Sequence, residues 1–292
     1  MQLTITGYST ALFSTWYFIE ELGILFDAGD GVSSGLLQKS RKIEHVLISH
    51  ADRDHLTGLL QLNQLNARPG YPVIYYPQNS GSFPPLEAFS KKFDPHVNGT
   101  QWIPTKEGVE IRIREDIVAI PIQNGHVVTQ GKGIKSLSYH IVQTKRKLKP
   151  ELAKLSGMEI KRIVEEQGKV NTTVEVRTNL ISYSGDTPVE DPQRWKDTKI
   201  LIHEATFLDG EEDAKIRPHS NKHSTLEEVM EMIGSSTIET LILGHFSSRY
   251  SAEQIDLRIK QLCEKYAITI PVFRVLPGEI SRNILNGVPV NQ

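Results

Sequence analysis

Short apolar runs broken by turn residues fill the first half of the chain. Their two-residue alternation is that of half-buried strands rather than of helices. The alternation starts at Leu3-Thr4-Ile5-Thr6, and aromatic or branched runs follow at 15–19 and 24–27. Runs at 43–49, 73–76, 111–113, 117–123 and 136–143 predict further strands, that at 73–76 bounded by Pro72 and Pro77. Leucines at helical spacing predict a helix over 56–66, and 84–93 reads as a short one. Beyond residue 168 strands and helices alternate, with strands at 179–184, 200–204, 240–244 and 271–275 and helices at 226–233 and 252–267. This order predicts a layered α/β fold, with two sheets inside and helices outside, as a single domain over 1–292.

One segment departs from the pattern. Residues 145–168 are highly charged and mostly helix-compatible, with Gly157 interrupting them. From Thr144 to Arg162 there are seven Lys/Arg against two Glu. Such a basic excursion is either a solvated helical face or an appendage that touches polyanion.

Composition narrows the partners. A net charge of −2 and a pI near 6.6 exclude polyanion binding over the whole surface, so any nucleic-acid contact must be local. Cys263 is the only cysteine, which rules out an intrachain disulfide. Its spacing from Ile255, Ile259 and Leu262 predicts a small buried apolar side chain on a helix. The first residues lack a signal peptide's basic and apolar regions, and no apolar run approaches the ~18 residues of a membrane span. The expected setting is the cytoplasm, without a membrane partner.

Candidate chemistry concentrates in Ser49-His50-Ala51-Asp52-Arg53-Asp54-His55-Leu56, between an apolar strand and a helix. Four potential ligands within six residues can be aimed into one hollow by a tight turn. Imidazole with carboxylate suits Zn²⁺, Mn²⁺ or Fe²⁺. The plainer alternative is a polar turn in which Asp52 or Asp54 caps the helix. His126, Asp186 and His245 each come just past an apolar strand and directly after a glycine, so all three can meet the first cluster at one sheet edge.

These segments together resemble the metallo-β-lactamase fold, and within it the ribonuclease Z (tRNA 3′-processing endonuclease) branch. The branch resemblance rests on Tyr183-Ser184-Gly185-Asp186-Thr187, His203-Glu204-Ala205-Thr206-Phe207, His223-Ser224-Thr225 and His245-Phe246-Ser247-Ser248-Arg249-Tyr250, in family order. Phe26-Asp27-Ala28-Gly29-Asp30-Gly31 resembles the family's early acidic glycine turn. The resemblance implies a four-layer αββα sandwich and two divalent metal ions per chain, zinc or manganese and iron. It assigns His50, Asp52 and His126 to one ion and Asp54, His55 and His245 to the other, with Asp186 bridging. A hydroxide shared by the two ions would be the nucleophile, Asp54 would orient or deprotonate it, and His223 would act as general acid, oriented by Glu204.

Arg249 is left between phosphate binding and a surface ion pair, and His203 is expected beside a metal ligand. His45, His96, His140 and His219 receive no role, and Trp16, Tyr17 and Phe18 are read as core. The implied activity is that of a metal-dependent phosphodiesterase or endoribonuclease acting in tRNA processing, as a homodimer. The alternative is a small-molecule hydrolase on the same fold, cleaving a cyclic nucleotide, another phosphodiester or a lactone. A third reading is a binding module without turnover. Two departures bear on the choice. Asp52 stands where the family has its second histidine, which hardens the site toward Mn²⁺ or Fe²⁺. The excursion at 145–168 is basic but shorter than the family's arm.

Overall fold

A strand covered on both faces divides its side chains between two cores, and β2 (Ser14–Ile19) does so. Tyr17 and Ile19 join one apolar cluster, Trp16 and Phe18 another. The same split runs through β3 (Ile24–Phe26) and β4 (His45–Leu47), whose alternate residues Ile24, Phe26 and Leu47 face the first cluster while Leu25 and Val46 face the second. A sheet with two apolar faces must be buried between layers. The computed structural model describes residues 2–93, 98–127, 133–209 and 222–292. His96 and His219 therefore lie outside the described residues.

The first sheet adds β1 (Ile5–Thr10), β5 (Val73–Pro77) and β6 (Gln101–Thr105), in sequential order β1 to β6. β1, β2 and β3 are antiparallel neighbours, and from β3 to β6 the pairing is parallel. The second sheet has the order β13-β12-β11-β10-β9-β8-β7. Its strands are β7 (Ile111–Arg112), β8 (Ile117–Gln123), β9 (Leu137–Leu148), β10 (Thr173–Tyr183), β11 (Thr198–Glu204), β12 (Thr240–Gly244) and β13 (Val272–Arg274). β9 is antiparallel to both β8 and β10, and β10 to β13 are parallel. So β8, β10, β11 and β12 all end on the same edge of the sheet.

Three apolar clusters define four layers. Between the sheets lie Tyr17, Ile19, Phe26 and Leu47 from one side and Tyr139, Ile181, Tyr183 and Ile242 from the other. Outside the first sheet, Val32 and Leu36 of α1 (Val32–Leu36), Leu59 and Leu62 of α3 (Leu59–Asn66), and Phe83 of α4 (Phe83–Phe93) cover Trp16, Phe18 and Ile74. The one-turn helix α2 (Arg53–Leu56) precedes α3. Outside the second sheet, α7 (Leu226–Gly234) and α8 (Ala252–Lys265) lay Val229, Ile233, Ile255 and Ile259 on Leu201, Leu241 and Leu243. Cys263 is buried in that cluster. The expected αββα arrangement is the one observed. No described helix is long and apolar enough to cross a membrane.

Three stretches differ from expectation. β6 and α1 are additional elements. Residues 145–168 are not wholly helical. β9 continues through Lys145, Arg146 and Lys147 to Leu148 and pairs with Thr173–Arg177 of β10, making a two-stranded ribbon that outruns the sheet. The helix α5 (Gly157–Gln167) and the single turn α6 (Lys169–Thr172) close it. Gly157 does not interrupt a helix but begins one. Ser156 before it accepts from the Glu159 amide, and the Glu159 carboxylate accepts from the Ser156 amide, a reciprocal cap.

The outer cluster offers a test on one helix. Ile259 of α8 is fully buried, whereas Leu257 is 59% exposed. Ile259→Ala should lower unfolding free energy by roughly 2–5 kcal/mol. Leu257→Ala should stay within about 0.5 kcal/mol of the parent. Denaturant midpoints measure both, and equal shifts would remove α8 from the core.

Candidate metal centre

Each candidate ligand follows the carboxyl end of a strand. After β4 the chain turns sharply at His50 and enters α2 with Asp52 in the N-cap position. The Asp52 side chain makes no capping bond. Its Oδ2 lies 3.6 Å from His50 Nε2 and 3.6 Å from His126 Nε2, the latter brought in by the turn after β8. Asp54 and His55 come from α2, and His245 follows β12. Asp54 Oδ2 is 3.5 Å from both His55 Nε2 and His245 Nε2. Asp186, just past β10, reaches both groups through Oδ2, at 3.7 Å from His50 Nε2 and 3.3 Å from both His55 Nε2 and His245 Nε2.

These separations suit a cation. Bonds of about 2.0–2.2 Å at tetrahedral angles set ligand atoms roughly 3.4 Å apart. The decisive observation is one of hydrogen bonding. The Nε2 atoms of His50, His55, His126 and His245 are buried and have no hydrogen-bond partner. A buried polar atom without a partner is costly, and four converging on three carboxylates match the donor set of a divalent metal centre. The other ring nitrogen of each is engaged. His55 Nδ1 donates to Asp27 Oδ2 at 2.8 Å, His126 Nδ1 to the Lys222 carbonyl at 2.8 Å, and His245 Nδ1 to Thr206 Oγ1 at 2.9 Å. His50 Nδ1 meets Ser49 Oγ at 2.9 Å, and that hydroxyl donates to Asp27 Oδ2. With Nδ1–H turned outward, every Nε2 lone pair points inward.

Charge follows the same geometry. Burial pushes the Asp186 carboxyl up, but the His245 and His55 imidazoles beside it win and hold it well below the usual range. Burial also opposes ionisation of Asp54, yet the His245 and His55 imidazoles beside it bring it down to about 2. The His126 and His50 imidazoles close to Asp52 hold it ionised far below its ordinary value. Backbone shape helps to bring these groups together. Gly185 has φ of +58°, and a Cβ there would sit 2.7 Å from that of Ser49, so only glycine lets β10 lead into Asp186 this closely.

Beside the carboxylates stands a second pair. His223 Nδ1 is 3.2 Å from both carboxylate oxygens of Glu204, at the end of β11, and 3.8 Å from Asp186 Oδ2. Burial disfavours the imidazolium, but Glu204 outweighs it and raises His223 to about 9. The His223 ring stacks on that of His245 with centroids 5.5 Å apart. Glu204 is held in turn by the Thr187 amide and the Thr206 hydroxyl, each at 2.6 Å. Thr225 caps α7 through Glu228, so the cap and the histidine coexist.

Two expected neighbours stand elsewhere. His203 points away from the centre, its ring edge-on to Trp195 and its Nδ1 on the Glu204 carbonyl. Arg249 is exposed, donates to Ser247 Oγ, and lies over the Phe207 ring at 5.6 Å. That ring in turn is edge-on to His223. Asp27 went unassigned in the sequence, yet it is fully buried and accepts from the Ser49 amide, the Ser49 hydroxyl, His55 Nδ1 and the Tyr183 hydroxyl. An acid closing an all-apolar strand was the available signal.

The comparisons agree with this geometry. A β-lactamase superfamily domain matches residues 23–149. The chain is 30% identical over 273 residues to a ribonuclease Z from Methanocaldococcus jannaschii, covering 84% of each chain. The chain belongs to the ribonuclease Z family. It is a metal-dependent hydrolase of the metallo-β-lactamase type. A chloroplastic tRNase Z from Arabidopsis thaliana is 29% identical over 281 residues, covering 91% of this chain and 73% of that protein. A metallo-β-lactamase fold protein from Bacillus subtilis superposes with a TM-score of 0.63 at 15% identity, over 96% of this chain and all of that one.

For this ribonuclease Z-family chain, Asp27 gives a test of the centre that does not touch a ligand. In Asp27→Asn the amide NH₂ must face the Ser49 amide or the His55 ring, and both are donors. Metal dissociation constants, read by chelator competition, should rise roughly 10–100-fold. An unchanged constant would show that Asp27 does not orient His55.

Proposed function

We propose that this chain is an endoribonuclease of the ribonuclease Z kind, cleaving phosphodiester bonds in RNA such as tRNA precursors. The observation that carries the reading is the juxtaposition of the four unpartnered Nε2 atoms with the His223–Glu204 pair. His50, Asp52 and His126 would hold one divalent ion and Asp54, His55 and His245 the other, with Asp186 shared. Bound there, zinc, manganese or iron would lower the pKa of a water and offset phosphate charge. Asp54 orients the attacking water. His223, kept protonated by Glu204, gives its proton to the departing ribose oxygen. With Nδ1 on Glu204, the Nε2–H is the proton left to face substrate. Arg249 lies two rings away, across Phe207, and suits a flanking phosphate.

The chain is read as one domain over 1–292, with the β9–β10 ribbon and α5 as its basic excursion. The three lysines and Arg146 at 145–149 support contact with an RNA backbone, and a homodimer would bring that ribbon to a second copy's substrate. A lone buried thiol at Cys263 fits a reducing cytoplasm. The shortness of the ribbon favours a second reading, hydrolysis of a small phosphodiester or lactone at the same centre.

Metal analysis tests the ligand assignment. With excess Mn²⁺ or Zn²⁺ the chain should take up about two ions. Asp52→Ala should weaken one site and spare the other, and Asp52→His should shift preference toward Zn²⁺ because imidazole is the softer donor. Uptake that never passes one ion sinks the dinuclear centre, and wild-type selectivity in both variants removes Asp52 from it.

The acid role predicts a dependence on leaving group. His223→Ala should slow RNA cleavage by roughly 10²–10⁴-fold. It should barely slow a nitrophenyl phosphodiester, whose phenolate leaves without a proton. Equal losses on the two substrates would show that His223 only shapes the site.

A further inference from the structure

The turn between β1 and β2 carries two large apolar side chains in a place where stability favours neither. Leu12 is 88% exposed and Phe13 61% exposed. Neither belongs to any of the three apolar clusters. Leu12 also adopts φ of +71°, a left-handed conformation that burdens any residue with a Cβ and that glycine takes freely. Both its backbone and its side chain would therefore be better served by a glycine.

The turn is nonetheless held firmly. The Leu12 amide donates to Asp54 Oδ2 at 3.1 Å, the Ala11 amide to the Phe246 carbonyl at 3.2 Å, and the Phe13 amide to the Thr10 carbonyl at 3.1 Å. Thr10 Oγ1 accepts from the Gly278 amide, and Ser14 Oγ donates to the Asp30 carbonyl. Asp54 Oδ2 is the same oxygen that faces His55 and His245. Leu12 and Phe13 are thus fixed in solvent at the rim of the Asp54–His55–His245 group.

We propose that Leu12 and Phe13 form the wall that receives a nucleobase attached to the reacting phosphate, and so set the preference for nucleotide over simple phosphate esters. The proposal rests on the phosphodiester reading above and deepens it. A phosphate drawn to the centre is anionic and offers nothing to a leucine or a phenylalanine. The flat, largely apolar group that accompanies phosphate in a nucleic acid is the base. Stacking a base on an aromatic side chain contributes about 1–3 kcal/mol, or roughly 5- to 150-fold in affinity, and does not depend strongly on which base it is. A rim pinned by three backbone amides loses little entropy on binding, so that gain is not spent on ordering the turn.

Two variants test this without touching a proposed metal ligand. Leu12→Gly keeps the amide that donates to Asp54, and Phe13→Ser removes the ring without altering a strained position. Calorimetry on the metal-loaded protein compares thymidine 5′-monophosphate, methyl phosphate and octyl phosphate. Wild type should bind the nucleotide roughly 5- to 150-fold more tightly than methyl phosphate, and each variant should narrow that gap while binding methyl phosphate unchanged. Turnover of the 4-nitrophenyl ester of thymidine 5′-phosphate and of methyl 4-nitrophenyl phosphate should repeat the pattern, in KM rather than kcat. Equal affinity of wild type for nucleotide and methyl phosphate would overturn the proposal, as would tighter binding of octyl phosphate than of nucleotide. So would variants that weaken both ligands alike. A binding preference present without hydrolysis of either ester would instead retire the phosphodiesterase reading and leave the base-binding wall standing.

Discussion

The Asp27 carboxylate is the contact on which the rest of the centre depends. It closes β3, sits at φ of +53° with no exposure, and receives donors from three parts of the fold. Ser49 belongs to the turn after β4, His55 to α2, and Tyr183 to the end of β10 in the opposite sheet. One side chain thus sets the entry to the His50 turn, the tautomer of His55 and the distance between the two sheets at their common edge. The Tyr183 ring is stacked on Phe26 with centroids 4.8 Å apart, so the apolar layer and the polar anchor share residues. Replacing an acceptor buried this deeply strands several donors at once, which costs more than any single bond contributes.

From that anchor the electrostatics follow. Asp52, Asp54, Asp186 and Glu204 are held ionised in a half-closed hollow. Burying so much negative charge is tolerable only beside compensating positive charge. The His223 imidazolium supplies part of it, and two divalent ions would supply the remainder. The carboxylates also raise His55 and His126, against the burial that would lower them. A proton and a metal therefore compete for the same Nε2 lone pairs, and metal uptake should release protons.

Much of the architecture was legible because its strands are buried on one or both faces. Runs such as 15–19 and 240–244 are apolar enough to announce themselves, and helices such as α8 have a clean apolar stripe. β6 was missed because it is an edge strand, with Ile103 exposed and Pro104 inside it. α1 was missed because Gly31, Ser33, Ser34 and Gly35 read as a turn. The β9 side of the ribbon, 145–148, reads as part of a charged helix-compatible segment because it is nearly all Lys and Arg, with no core to face and so no apolar alternation. At the centre, residue type and position after a strand pointed to the candidate ligands, but their grouping was supplied by family likeness rather than by spacing. Asp27 was hidden for a different reason. Its role lies wholly in hydrogen bonds to segments up to 156 residues away, and a local pattern does not record those.

The ligand segments are strung along the chain from His50 to His245. Synthesis delivers such a chain from its N-terminus, at a pace of about 5–20 residues per second. For much of that time His50, Asp52, Asp54 and His55 are outside the ribosome while Asp186 and His245 are not yet made. A cation met early finds only a loose acidic turn, with neither the shared carboxylate nor the Tyr183 strut in place. Any metal would therefore be bound tightly only late, when the second sheet has closed on the first. Which metal the folded chain takes up would then depend on what is available at that moment, after folding, rather than on what first touches the nascent chain.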